Sequence, residues 1–256
     1  MHWSYGLLAV LVACSFRINA DVSAPADAPI TDTPVDAASD AAGPSLCTPG
    51  SGLLVCFAFD APAFGATLAN EGSAAVTAQV SGVTRIARGA GGAVMVDTSS
   101  QIRIPPNPLT SGIVATEAWV RLDVPPPTGS RVGLIDADAT SSAVSFFFYD
   151  GTPSRQIRFE LGQQLFLDHP VAVGTWYYLA QVCENNVLTA YVDGLAIGTR
   201  TGCSPGNSTT YGLQFGQNNN QTGGDQWMTG AIDGIRMWTT PRTAKQICEA
   251  AGLTSC

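Results

Sequence analysis

The 256-residue chain contains one lysine, Lys245, two histidines, His2 and His169, and five glutamates. Lysine and arginine together number only 12, spread without a basic run. Nucleic-acid binding needs cations gathered on one face, so that class of function is excluded. Two distant histidines likewise exclude a His-rich zinc site. Any Ser-His-Asp machine would rest on His169, which sits between Asp168 and Pro170 in a turn-like setting. Long apolar runs are also missing. Leu7 to Ala13 is apolar but far short of the about 20 residues a membrane helix takes, and no later segment is long enough.

What the chain does have is seven cysteines, divided into one plus six. Cys14 closes the tetrapeptide Leu11-Val12-Ala13-Cys14 after the short apolar run, and the other six begin at Cys47. Six suits three disulfides, which persist in an oxidising compartment. A short apolar segment ending in Leu-x-Ala-Cys resembles the lipobox of bacterial lipoprotein signal peptides, which implies lipidation at Cys14. Ser15 then resembles the outer-membrane type, so the expected location is the cell envelope. Met1 to Gly6 carries no Lys or Arg, and the alternative is an ordinary secretory signal cleaved near Ala20, giving a secreted protein.

Residues 15–46 are rich in alanine, proline and aspartate, with Asp21, Asp27, Asp32, Asp36 and Asp40 spaced along them. Little that is large and apolar is available to bury, so a disordered linker spanning roughly 30 Å is expected. The linker carries half of the formal charge of −8. The predicted organisation is therefore a leader over 1–14, the linker over 15–46 and one domain over 47–256. Such a length suffices to bury about 70% of the unfolded surface.

The domain reads as all-β, with 27 glycines and 16 prolines in the chain punctuating short β-prone runs. Ala118, Val120 and Leu122 alternate with Glu117, Trp119, Arg121 and Asp123, the period of a strand with one buried face. Leu188, Ala190 and Val192 repeat the pattern, and Asp193-Gly194 supplies a two-residue hairpin turn leading into Leu195 to Gly198. Further strands are predicted at 53–59, 94–96, 101–104, 132–135, 144–149, 156–161, 176–182, 211–215 and 228–238. One helix is predicted near the C-terminus, where Thr243-Ala-Lys-Gln246 forms a capping box and Gly252 a C-terminal stop.

Four segments carry a family resemblance: Thr116-Glu-Ala-Trp-Val-Arg-Leu122, Gly174-Thr-Trp-Tyr-Tyr-Leu-Ala180, Leu188-Thr-Ala-Tyr-Val-Asp-Gly194 and Gly230-Ala-Ile-Asp-Gly-Ile-Arg-Met-Trp238. In order and spacing they resemble the signatures of laminin-G-like, concanavalin A-like jelly rolls. Val55-Cys-Phe-Ala-Phe-Asp60 resembles the opening strand, and Arg242-Thr-Ala-Lys-Gln-Ile247 the short helix after the last one. The resemblance implies a two-sheet antiparallel jelly-roll sandwich whose concave face or rim loops bind glycans or proteins, mostly without catalysis. It also implies a structural calcium, held by Asp60 and Asp233 with backbone carbonyls. That donor set is lean, and Gly234 stands where the family often has an acidic residue.

Glycoside hydrolases of this general fold pair carboxylates on one strand, but no Glu-x-Asp-x-x-Glu pattern contains any of the five glutamates. Glu117 and Asp123 share a strand face at about 20 Å, too far to cooperate. The polar loop from Gln217 to Trp227 holds Asn218, Asn219, Asn220, Asp225 and Trp227, the amides, carboxylate and aromatic ring that sugar recognition uses. Its alternative reading is a plain polar turn with Trp227 opening the next strand. Six cysteines allow fifteen pairings. The economical set is Cys47–Cys56, Cys183–Cys203 and Cys248–Cys256, against a competing set that links the termini, Cys47 or Cys56 with Cys248 or Cys256. The function expected is a non-catalytic envelope module binding a glycan or protein surface on a lipid tether. The alternatives are a hydrolase-related sandwich with unrecognised activity, or a purely structural display domain.

Overall fold

The computed structural model describes residues 47, 50–61, 63–106, 109, 112–137, 144–150, 155–207, 212–217 and 227–256. Two eight-stranded antiparallel sheets form a sandwich. In the first, neighbouring strands run β14 (Leu195–Thr201), β13 (Val187–Val192), β12 (Trp176–Glu184), β7 (Ala115–Leu122), β16 (Gly230–Trp238), β5 (Gly91–Val96) and β4 (Thr84–Arg88). β1 (Leu53–Phe57) also pairs with β16. The second sheet runs β11 (Gln163–Asp168), β10 (Arg155–Leu161), β9 (Val144–Asp150), β8 (Arg131–Asp136), β15 (Leu213–Phe215), β6 (Gln101–Ile104), β3 (Thr77–Ser81) and β2 (Thr67–Ala69). Among the described residues, no helix is long and apolar enough to cross a membrane.

The main core lies between the sheets, where alternate residues of each strand meet: Ala118, Val120 and Leu122 from β7 against Phe146, Phe148, Phe159 and Phe215. A second apolar cluster lies on the far side of the first sheet, where Tyr178, Ala180, Val182, Tyr191 and Trp238 are covered by Ile247 of the helix α1 (Ala244–Ala250). The helix begins as the capping box predicts, Thr243 Oγ1 accepting from the Gln246 amide and the Gln246 side chain accepting from the Thr243 amide. It ends with Gly252 at φ +82°, its amide donating to the Glu249 carbonyl while that of Leu253 donates to Cys248. That pair of bonds satisfies the last carbonyls.

Cys47–Cys56, Cys183–Cys203 and Cys248–Cys256 are joined, each with Cα atoms 5.5 to 5.8 Å apart. Three disulfides mark a domain of an oxidising, extracytoplasmic setting. The Asp193-Gly194 hairpin forms with φ +49° and +80°, both left-handed as its two-residue turn demands. Four strands escape the sequence pattern: β2, β3, β4 and β11. β2, β4 and β11 are sheet edges, where partly exposed positions blur the alternation; β3 lies next to one and does alternate, but it buries only Ala78 and Val80.

Candidate functional site

The outward faces of the two sheets are built differently. On the first, Gly234 at φ +58° forms a bulge in β16, and register shifts between Asp233 and Arg236. Two residues there face one on β7, so Asp233 stands opposite Trp119 and Arg236 opposite Glu117, all on the outer face. A side chain at position 234 would be strained in that conformation, which accounts for glycine at the position the resemblance makes acidic.

Glu117 is fully buried, and both carboxylate oxygens are engaged. Oε2 accepts from Arg236 Nη2 at 2.9 Å and from the Tyr178 hydroxyl at 2.8 Å, and Oε1 from Arg242 Nε at 2.9 Å. Burial disfavours the Arg236 charge, but Tyr178, Glu117 and Asp233 outweigh it and raise its pKa. The Tyr178 phenol is pushed well above its usual range, chiefly by burial. A carboxylate pinned by two guanidinium groups and a phenol is a structural anchor, and one poorly disposed to move protons. The Arg242 guanidinium lies 4.2 Å over the Trp238 ring, so this anchor also ties the start of α1 to the sheet.

Beside it, Arg88 Nη1 donates to Asp233 Oδ2 at 2.8 Å, and its guanidinium lies 4.1 Å over Trp119. Asp60 follows Phe59, held at φ +56°, and its Oδ1 accepts from the Gly92 amide at 3.0 Å. Asp233 Oδ1 is buried without a hydrogen-bond partner. Burial raises the Asp233 pKa to about 6, against the lowering effect of Arg88. Calcium requires about six to eight oxygens. Here one oxygen of each carboxylate is spent, and among the described residues no group of three or more His, Cys, Asp or Glu could hold a metal. With Arg88 in place, Asp60 and Asp233 do not fit a calcium ion.

The second sheet presents a different outer face. One polar side chain from every strand falls into a single cross-strand row: Thr67, Gln79, Arg103, Gln214, Asp136, Ser145, Glu160 and Gln164 are successive register partners. The row is exposed at its ends and buried at Gln214, Asp136 and Ser145. Ser145 Oγ donates to Glu160 Oε2 at 2.8 Å, and Arg158 Nη2 reaches the same oxygen at 3.1 Å.

Beside that row lies an aromatic–guanidinium stack. Arg131 and Arg158, from β8 and β10, both lie over the Phe147 ring of β9, at 4.6 and 4.2 Å. Arg131 Nη1 also donates to the Tyr149 hydroxyl at 2.9 Å. Tyr149 meets Phe166 of β11 edge to face at 5.4 Å, and Phe166 is 41% exposed. Gln156 Nε2 donates to Asp168 Oδ1 at 2.7 Å beside it. An exposed ring flanked by amides and carboxylates offers an apolar platform with donors and acceptors at its rim, the chemistry that holds a sugar ring and its hydroxyls.

Asn218, Asn219, Asn220 and Asp225 lie outside the described residues, as does Cys14. Trp227 is half-buried and bridged to Gln217, closing the neck of that loop where β15 ends. Phe166, Tyr149, Arg131 and Arg158 are not among the site residues expected from sequence. The signal was present in Gln164, Phe166 and Asp168, an aromatic alternating on the same face as polar residues.

The family profile of the concanavalin A-like lectin/glucanases superfamily, laminin-G type, matches residues 96–248. No curated protein is detectably similar in sequence. Among solved structures, domain 4 of the extracellular GH43 arabinanase AbnA from Geobacillus stearothermophilus, in complex with arabinotriose, superposes with a TM-score of 0.60 at 16% identity. That match covers 78% of this chain and 98% of that one. The Trypanosoma rangeli sialidase bound to a difluoro-KDN gives 0.58 at 12% identity over 78% of this chain, but only 32% of the enzyme. The binding domain of Paraclostridial Mosquitocidal Protein 1 gives 0.57 at 11% identity, covering 78% of this chain and 52% of that one. At such identities the likeness is one of fold.

Proposed function

Because the chain belongs to the laminin-G branch of the concanavalin A-like lectin/glucanases superfamily, we propose that it is a non-catalytic binding module of the cell envelope, taking a carbohydrate ligand on the outer face of its second sheet. The observation that carries this is the exposed Phe166 ring, seated against Tyr149 and rimmed by Gln164, Gln156, Asp168 and Arg131. A solvent-facing aromatic with convergent polar groups is the usual build of a sugar platform. The arabinotriose complex of the AbnA domain lends the reading support at the level of fold. Glu117, the carboxylate nearest to a hydrolase role in the sequence, is consumed by ion pairs, which supports a module without catalysis.

Display fits the same reading: a lipid on Cys14 and the linker over 15–46 would hold the domain off an outer membrane. Replacing Cys14 by Ser is expected to move the protein from the membrane to the soluble fraction; unchanged membrane association would contradict the tether. Ligand binding is tested on a glycan array with the exported chain. Retention of one glycan class is expected, with loss in Phe166→Ala. A blank array, with a protein partner recovered by crosslinking through Phe166, would shift the ligand to a protein surface.

A further inference from the structure

A cation already occupies the position where the sequence resemblance places calcium, and that cation is a side chain. Arg88 reaches inward from β4 at the hairpin to β5 and ends against Asp233, with only 16% of its side chain exposed and 3% of that of its partner. Its guanidinium is held from two sides, 4.1 Å over Trp119 and 5.0 Å from Trp176. Asp60 closes the cluster: its backbone carbonyl accepts from Arg85 Nη2 at 3.3 Å while its carboxylate takes the Gly92 amide. Gly91 and Gly92 are needed for that approach, since a Cβ at Gly91 would collide with Asp60 Oδ1 and one at Gly92 with the Phe59 carbonyl. The β4–β5 hairpin is therefore shaped to lay two arginines, Arg85 and Arg88, against the residues that a metal would otherwise bridge.

We infer that Arg88 is the resident cation of this domain, replacing a divalent ion at Asp233 and Asp60 and excluding one while it stays. The charge balance agrees. Asp233 is a buried carboxylate that needs positive charge beside it: Arg88 bonds it directly, and Arg236 lies near enough to feel its charge. A guanidinium supplies that charge through an N–H···O bond and gains further from the indole faces, which a hydrated metal ion would not. Arg88 holds Asp233 Oδ2 at 2.8 Å, so a divalent ion brought to the same carboxylate would meet the guanidinium charge at close range, and its binding is opposed while Arg88 stays. The fold then needs no calcium, and removing Arg88 uncovers a small acidic site lined by two tryptophans.

The tryptophans supply the test, because a terbium ion at Asp233 would be excited through Trp119 and Trp176. Titration of the full chain with terbium, exciting tryptophan, is expected to give no calcium-displaceable emission up to about 1 mM, the weak end for extracellular calcium modules. Melting temperature is expected to be equal in chelator and in calcium. Arg88→Ala should gain terbium emission that calcium displaces and that a second change, Asp233→Asn, removes. Arg88→Lys keeps the charge and should stay dark. Calcium-displaceable emission from the unaltered chain, lost in Asp233→Asn, would overturn the inference, as would a folded Arg88→Ala that stays dark. If Arg88→Ala does not fold, the unaltered chain and Arg88→Lys still decide it.

Discussion

The two outer faces of this sandwich carry similar residues and use them in opposite ways. Both hold arginines laid over aromatic rings and carboxylates paired to those arginines. On the first sheet, α1 and the Arg88 side chain at the sheet edge close over the set, so Glu117 has no exposed surface and Asp233 almost none. On the second, Phe166, Gln164 and Asp168 remain open along β11. Burial thus decides whether an Arg–aromatic–carboxylate group acts as an anchor or as a surface. In the closed set each loss leaves an uncompensated charge; in the open set water takes the place of a missing partner.

The largest effect is expected at Glu117. Glu117→Ala leaves Arg236 and Tyr178 buried without their acceptor, and a loss of about 3–5 kcal/mol is expected by denaturant unfolding. Asp168→Ala, at the exposed hydrogen bond with Gln156 on the other sheet, should cost well under half as much. Equal losses would dissolve the distinction between the faces.

A second prediction concerns pH. The Asp233 carboxyl is ordinarily near 3.8 and stands at about 6 in the folded chain, raised chiefly by burial. A carboxyl whose folded pKa is raised binds its proton more tightly in the native state. Its stabilising contribution is therefore complete below pH 3.8 and is lost as pH rises through about 6. The shift corresponds to roughly 3 kcal/mol as an order of magnitude. Melting curves of the parent between pH 4 and 7 should show this loss superimposed on the general trend, and Asp233→Asn should remove it. Identical pH profiles would show that Asp233 stays ionised throughout.

The smallest expected effect lies at the cap of α1. Thr243→Ala removes the acceptor for the Gln246 amide and should cost about 1 kcal/mol. Because α1 covers the second apolar cluster, hydrogen exchange should quicken at Ile247 and Cys248 while the second sheet keeps its protection. Uniform acceleration would mean that helix and sandwich open together.

Much of the architecture was legible because buried strands leave a mark. Ala118, Val120 and Leu122 alternate cleanly, Asp193-Gly194 announces its turn, and Thr243 with Gln246 announces the helix. Edge strands leave little: Thr84-Arg-Ile-Ala-Arg88 of β4 shows no buried position, yet it delivers Arg88 to Asp233. The long-range pairs of the closed face join residues 61 to 145 positions apart, beyond the reach of any local pattern. The bulge at Gly234 was visible only as a missing acid. The open face was half legible, since Phe166 shares its strand face with Gln164 and Asp168, but its company with Tyr149 and Arg131 depends on the register of four strands.

The most direct test of the binding reading is a paired measurement on the glycan retained by the array, comparing the exported chain with Phe166→Ala by calorimetry. Phe166→Ala is expected to melt within a degree or two of the parent, as a surface change does, yet to bind at least about tenfold more weakly, the size expected for an aromatic at the centre of a contact. Undiminished affinity in a correctly folded Phe166→Ala, Tyr149→Ala double variant would contradict it and move the ligand off the second sheet.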